Sequence, residues 1–177
     1  ITNYVMMAYG TPLHCFDADM IKGQKVIVRT MPEGTPFVTL DGVEHKLSGR
    51  DLAICNAEEP MCIAGVLGGK GSGTYDTTKD VLLESAYFNP TWIRKSARRH
   101  GLSTDASFRF ERGVDPNAQL YALKCAALMA KELAGAKVSM QIADTCPEPT
   151  PGFPVELKYA YVDGLVGQHI PAETVRS

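Results

Sequence analysis

The first half of the chain alternates short apolar runs with polar turns, and the second half changes to longer stretches with a helical spacing. Residues 26–29 and 37–40 are β-branched and aromatic runs of strand length. Asp41-Gly42 then separates Val38-Thr39-Leu40 from Val43, a strong short-range hairpin signal. Residues 52–55, 61–64 and 81–83 are further apolar runs, and their near-continuous hydrophobicity predicts strands covered on both faces.

Helix signals begin at Asn89-Pro90, a capping residue followed by one whose φ suits the first turn. That helix is predicted to pass Trp92 and Arg98 and stop at Gly101, and a second to cover residues 105–112 before Gly113. Asp115-Pro116 opens a third, ending at Gly135. Leu120, Leu123, Ala127, Ala130 and Ala134 recur along it at three and four residues, which predicts a core-facing stripe. The expected fold class is α+β, with mixed or antiparallel sheets and helices concentrated in the second half. Residues 1–145 are expected to form one domain. Residues 146–154, with Pro147, Pro149, Pro151 and Pro154, read as a stiff linker, and residues 155–177 as the opening of a truncated following module.

Composition changes this picture little. Hydrophobic content of 45% and charged content of 21% over 177 residues fit an ordinary globular domain. No run approaches the roughly 20 apolar residues of a membrane span. A start at Ile1 without a leader reads as a piece cut from a longer cytoplasmic protein. A net charge of -2 argues against strong, indiscriminate nucleic-acid binding. Cys15, Cys55, Cys62, Cys125 and Cys146 form no Cys-x-x-Cys pair and are expected to be reduced thiols, mostly in the core. No metal-ligand spacing is present, so no metal site is expected.

Four segments carry candidate chemistry. Gly65-Val66-Leu67-Gly68-Gly69-Lys70-Gly71-Ser72-Gly73 has only three residues between its first Gly and the Gly-Lys pair, which fails the phosphate-loop spacing. It is either a flexible turn or a backbone wall against which a ligand lies closely. Glu84 closes an apolar strand, as a surface charge or as a half-buried acceptor aimed into a pocket. His14, between Leu13 and Cys15, is either a core histidine or a group that orients water or a hydroxyl, and adjacency to Cys15 is weak evidence for a Cys–His pair. The basic stretch holds Arg94, Lys95, Arg98, Arg99, Arg109 and Arg112. It is a solvated face with an ion-pair network among Arg109, Glu111 and Arg112, or a rim where small Thr104 and Ala106 leave room for a ligand.

Arg98-Arg99-His100-Gly101-Leu102-Ser103-Thr104-Asp105-Ala106-Ser107, running on to Arg109-Phe110-Glu111-Arg112-Gly113-Val114-Asp115-Pro116, resembles the beta subunit of bacterial phenylalanyl-tRNA synthetase. So do Thr2-Asn3-Tyr4-Val5, Gly10-Thr11-Pro12-Leu13-His14-Cys15-Phe16-Asp17 and the Gly-rich segment with Val81-Leu82-Leu83-Glu84. The resemblance implies a tRNA-editing domain built from that subunit's third and fourth modules, with its site in a cleft. Glu84 would accept a hydrogen bond from the phenol of misattached tyrosine or a related aromatic amino acid. Gly68, with Gly69 beside it, would present backbone to the substrate, and Ala106 would set pocket size. His14, Asn3 and Thr104 would position the ester, the terminal ribose or the attacking water. Arg94, Arg98 and Arg99 would touch tRNA. One basic pocket residue of the family lies upstream of Ile1. Implied partners are the alpha subunit and tRNA(Phe), with no membrane. ATP and magnesium belong to the alpha-subunit site of the whole enzyme, and no cofactor is implied for this domain. A non-catalytic tRNA-binding or structural module is the alternative, and a general RNA-binding domain centred on the basic stretch a weaker one.

Overall fold

The computed structural model describes residues 1–176. The chain divides into two compact units, the first spanning Ile1–Asp144 and the second beginning at Thr145.

The first unit opens with helix α1 (Thr2–Tyr9), closed by Gly10 in the left-handed region. Strand β1 (His14–Asp17) follows, then β2 (Ile27–Thr30), the hairpin β3 (Thr35–Val38) and β4 (Glu44–Leu47), β5 (Leu52–Cys55), β6 (Pro60–Ile63), β7 (Leu67–Gly68) and β8 (Val81–Glu84). Every strand pair is antiparallel. The sheets are a four-stranded β2-β5-β6-β7, the β3-β4 hairpin, and a two-stranded β1-β8 ribbon. A single bridge between Thr39 and Gly69 ties the hairpin to the end of β7. Gly42 supplies the left-handed φ of 82° at the Asp41-Gly42 turn, as that dipeptide predicts.

β5 and β6 each bury three successive residues, so both faces are covered as expected. β8 differs: it pairs with β1 alone and leaves Val81 exposed. Its alternating side chains serve two separate cores. Leu82 packs with Phe16 in the main cluster, around Ile54, Ile63, Ile93 and Phe110. Leu83 faces the smaller cluster of Val5, Ala122 and Ala126. Burying each large apolar side chain contributes about 1.5–3 kcal/mol.

The helices α2 (Pro90–His100), α3 (Asp105–Phe110) and α4 (Gln119–Ala134) occupy the second half. Asn89 caps α2 by accepting from the Thr91 and Trp92 N–H groups, and Gly101 ends it in the left-handed region. α4 starts later than its sequence signal, because Asp115 and Pro116 are taken up in a turn. Its core stripe is also shifted. Ala122 and Ala126 are buried against Val5 of α1, while Leu120 is exposed and Leu123, Ala127 and Ala130 are at most half-buried. Small alanines on that face let α1 approach closely, which a stripe of leucines would prevent. Cys55 and Cys62 are buried, Cys15 and Cys125 half-buried, and Cys146 exposed; all are free thiols.

In the second unit, irregular proline-containing chain leads to helices α5 (Tyr159–Val166) and α6 (Ala172–Arg176). Asp163 accepts from the Ile170 N–H at 2.9 Å, and Arg176 Nε donates to the Tyr159 hydroxyl at 2.7 Å. Among the described residues no helix is long and apolar enough to cross a membrane.

Candidate functional site

The β1-β8 ribbon sets His14 directly opposite Glu84. Period-2 alternation puts both on the ribbon face that carries Phe16 and Leu82. Cys15 points to the opposite face from His14, so the two do not form a nucleophile–base pair through adjacency. Burial also pushes the Cys15 thiol up, away from the thiolate form.

The turn after β6 forms the next wall. Gly65 has φ of 66°, and a Cβ there would lie 2.9 Å from Phe88 Cδ2 and 3.0 Å from Ile93 Cδ1. Only glycine meets both demands, and it lets the chain double back over the Phe88–Phe110 ring pair, whose centroids are 5.1 Å apart. A Cβ on Gly68 would lie 2.7 Å from His14 Cε1 and 3.0 Å from Leu40 Cδ1. The backbone at Gly68 therefore lies directly against the His14 ring. Leu67 and Gly68 form this wall as the short strand β7, with turns on either side at 64–66 and 70–73.

α3 closes the third side. Thr104 caps it, accepting from the Ser107 N–H at 3.0 Å, while the Ser107 hydroxyl answers at the Thr104 N–H at 2.9 Å. The Thr104 hydroxyl donates to the Val66 carbonyl at 2.7 Å, pinning the helix to the Gly-rich turn. Its proton is thus already committed, and what remains toward a ligand is acceptor capacity.

These elements enclose a cleft of about 450 Å³. Asn3, His14, Gly68, Glu84, Thr104 and Ala106 all line it, together with Cys62 and Asp105, which the sequence reading did not single out. Gly69 does not. Its N–H donates to the Met61 carbonyl at 2.8 Å and the space above its Cα is filled by Phe37, on a separate cavity of about 540 Å³. Gly69 thus packs against Phe37, outside this cleft lining.

The cleft's electrostatics are set by burial. Burial pushes the Glu84 carboxyl up to about 7, and no ion pair or hydrogen bond among the described residues offsets it. The surface-charge reading of Glu84 gives way to a half-buried acceptor. Burial lowers the His14 pKa, so its ring is neutral at pH 7, and its Nε2 is buried without a partner. Burial, with the nearby charge of Glu84, drives the Cys62 thiol well up, leaving it an inert neutral lining. The cleft thus holds an unpaired carboxyl, Glu84, opposite a histidine ring whose Nε2 is buried without a partner.

The basic stretch divides. Arg94 and Arg98 are exposed on α2, outside the cleft lining. Arg99 is not a free surface charge: it pairs with Asp51, whose side chain is fully buried in the loop before β5. Ser96, Arg99 and His100 share one face of α2. The Ser96 hydroxyl donates to Asp51 Oδ1 at 2.7 Å, and His100 Nε2 and the Ser48 N–H reach Oδ2 at 2.7 and 2.8 Å. Burial alone would raise the Asp51 pKa, but the Ser48 N–H, Ser96 and His100 outweigh it and hold it low. Arg109 turns to Asp105 rather than Glu111, which pairs with Arg112 at 2.6 Å. Among the described residues no cluster of three or more His, Cys, Asp or Glu side chains is arranged to hold a metal.

Residues 1–135, which carry this cleft between the glycine-rich strand and Glu84, match the family model of the B3/4 domain. The chain belongs to the B3/4 domain family. Along its whole length it is 65% identical to the phenylalanine–tRNA ligase beta subunit of Bacteroides fragilis and 50% identical to that of Porphyromonas gingivalis. It is 43% identical to that of Geobacter metallireducens over 98% of this chain. In each case the chain spans 22% of the relative's length. The resemblance carried by the Arg98–Pro116 string and its companions is borne out.

Proposed function

We propose that this domain hydrolyses tyrosyl-tRNA(Phe), clearing a wrongly attached amino acid within a phenylalanine–tRNA ligase. The observation that carries this reading is the unpaired, half-buried Glu84 beside His14 in a cleft of about 450 Å³. That volume lies within the roughly 300–1,000 Å³ common for small-molecule sites. A synthetic site selects phenylalanine poorly against tyrosine, since an apolar pocket cannot strongly reject an isostere that merely adds a hydroxyl. A second site that supplies an acceptor solves the problem. The phenol donates to Glu84, whereas phenylalanine would leave the carboxyl desolvated and unpaired, at about 1–3 kcal/mol. That is roughly 10- to 100-fold in discrimination.

The chemistry requires water to attack the ester carbonyl while the ribose oxygen leaves with a proton. An activated ester needs orientation and polar contacts more than a covalent nucleophile. The neutral His14 ring offers a nitrogen to the attacking water or the ribose hydroxyl, and Thr104 offers acceptor capacity at the opposite wall. Asn3 faces the terminal nucleotide, Gly68 keeps backbone against the substrate, and Ala106 limits the ring's depth. Arg94 and Arg98 meet tRNA phosphates. The alpha subunit supplies the partner, with its ATP and magnesium chemistry, and the assembled enzyme is a cytoplasmic heterotetramer.

The deciding experiment compares deacylation of tyrosyl-tRNA and phenylalanyl-tRNA by the two-subunit enzyme, with and without Glu84→Ala. Tyrosine clearance should fall at least about tenfold, with phenylalanine charging intact. Unchanged clearance would remove Glu84 as the reader of the phenol. Tyrosine binding without turnover in the parent would make the domain a non-catalytic module.

A further inference from the structure

Glu84 is one of two carboxylates that line the cleft, and the other is Asp105. Asp105 is the first residue of α3, beside Thr104, and its side chain is 79% exposed. Its ion pair with Arg109 is loose. Arg109 Nη1 lies 3.5 Å from Asp105 Oδ1, outside good N–H···O distance. The same nitrogen donates at 2.8 Å to the Asp105 carbonyl, and Arg109 Nη2 is turned to Met7 Sδ at 2.9 Å. The Asp105 oxygens therefore keep most of their acceptor capacity.

The remaining cleft-lining polar side chains (Thr2, Asn3, His14, Thr74, Thr104 and the two thiols) are neutral at pH 7 and offer no charge to a cation. An aminoacyl ester brings one: its free α-amine is largely protonated near neutrality. With Glu84 engaged by the ring hydroxyl, one anion is left for that ammonium. We infer that Asp105 binds the α-ammonium of the esterified amino acid, so that the site takes esters with a free α-amine and passes over those lacking the charge. This rests on the editing reading, and it defines the substrate class from the end opposite the phenol. Peptidyl esters, whose amine is acylated, would be left intact by the same rule.

The test uses the two-subunit enzyme with tyrosyl-tRNA and its α-hydroxy counterpart, in which OH replaces the ammonium with little change in size. Asp105→Asn should lower kcat/KM for the amine ester about fivefold, the upper range for an exposed ion pair, and leave the hydroxy ester within about twofold. Thr104 remains as the cap, so α3 is retained in the variant. Asp105→Glu should keep most of the preference for the amine. Equal losses on both esters would mark Asp105 as a structural residue and overturn the proposal, as would no loss on either. If the parent enzyme hydrolyses neither ester, the editing reading falls with it. Hydrolysis of the amine ester with no selectivity against the hydroxy ester defeats this proposal alone.

Discussion

Asp51 and Glu84 are both carboxylates withdrawn from water, and their surroundings could hardly differ more. Around Asp51, the Ser48 N–H, the Ser96 hydroxyl, Arg99 and His100 converge on the two oxygens. Glu84, by contrast, has no hydrogen bond or ion pair among the described residues, with His14 opposite it and Cys62 nearby in the cleft. The first region holds its carboxyl below the usual range, and the second pushes its carboxyl up to about 7. Sequence would rank them the other way, with Glu84 notable and Asp51 unremarked. A buried charge that is fully satisfied fastens α2 to the loop before β5. A buried charge left unsatisfied keeps a position open for a ligand that can satisfy it.

The strongest way to break this contrast is Asp51→Ala. It orphans Ser96, Arg99 and His100 together, and should cost about 3–5 kcal/mol, lowering Tm by roughly 10 °C in calorimetry. Glu84→Gln should act in the opposite sense. The folded chain holds a proton on Glu84 that the unfolded chain releases above the ordinary value of 4.5, so rising pH erodes stability between 4.5 and about 7. That loss, up to about 3 kcal/mol, is complete above pH 7 and should be missing from denaturant titrations of the variant. His14 contributes the reverse slope, gaining stability as pH rises through its ordinary range, and it does so in both proteins. Their difference therefore isolates Glu84. The finest comparison sets Arg99→Ala against Arg94→Ala. Removing Arg99 should cost about 1.5 kcal/mol through Asp51. Removing Arg94 should change stability by less than about 0.5 kcal/mol and flatten the salt dependence of tRNA binding by about one counterion.

What sequence made legible was local. Asn89-Pro90, Gly101 and Gly135 announce helix ends because a cap or a left-handed residue acts within a turn, whereas α3 ends at Phe110, short of Gly113. Asp41-Gly42 announces its hairpin for the same reason. The elements that escaped are those fastened from afar. α1 begins without a side-chain cap, and β1 is four residues whose strand character comes from pairing with β8. The α4 stripe was off in phase because the sequence favours leucines, whereas contact with α1 selects the alanines. In the site, the resemblance located Asn3, His14, Gly68, Glu84, Thr104 and Ala106, and the structure brings them to one cleft. Gly69 and Arg99 lie outside that cleft lining, the first against Phe37 and the second paired with Asp51. Nothing near Asp51 in sequence foretells its partners on α2.

The β1-β8 ribbon also fixes an order of manufacture. Emerging from its N-terminal end, the chain completes β2 to β7 while β1 still has no partner, since β8 has not been made. Pairing across so long a separation is also slow, because the loop must close before any contact rewards it. His14 and Gly68 exist early, Glu84 later, and Thr104 with Asp105 later still. Glu84 and Asp105, the two groups proposed to recognise the substrate, are therefore made after the first walls of the cleft. A chain that ends before β8 lacks both carboxylates that line the cleft, so on the proposed function it has no finished site with which to cleave an ester.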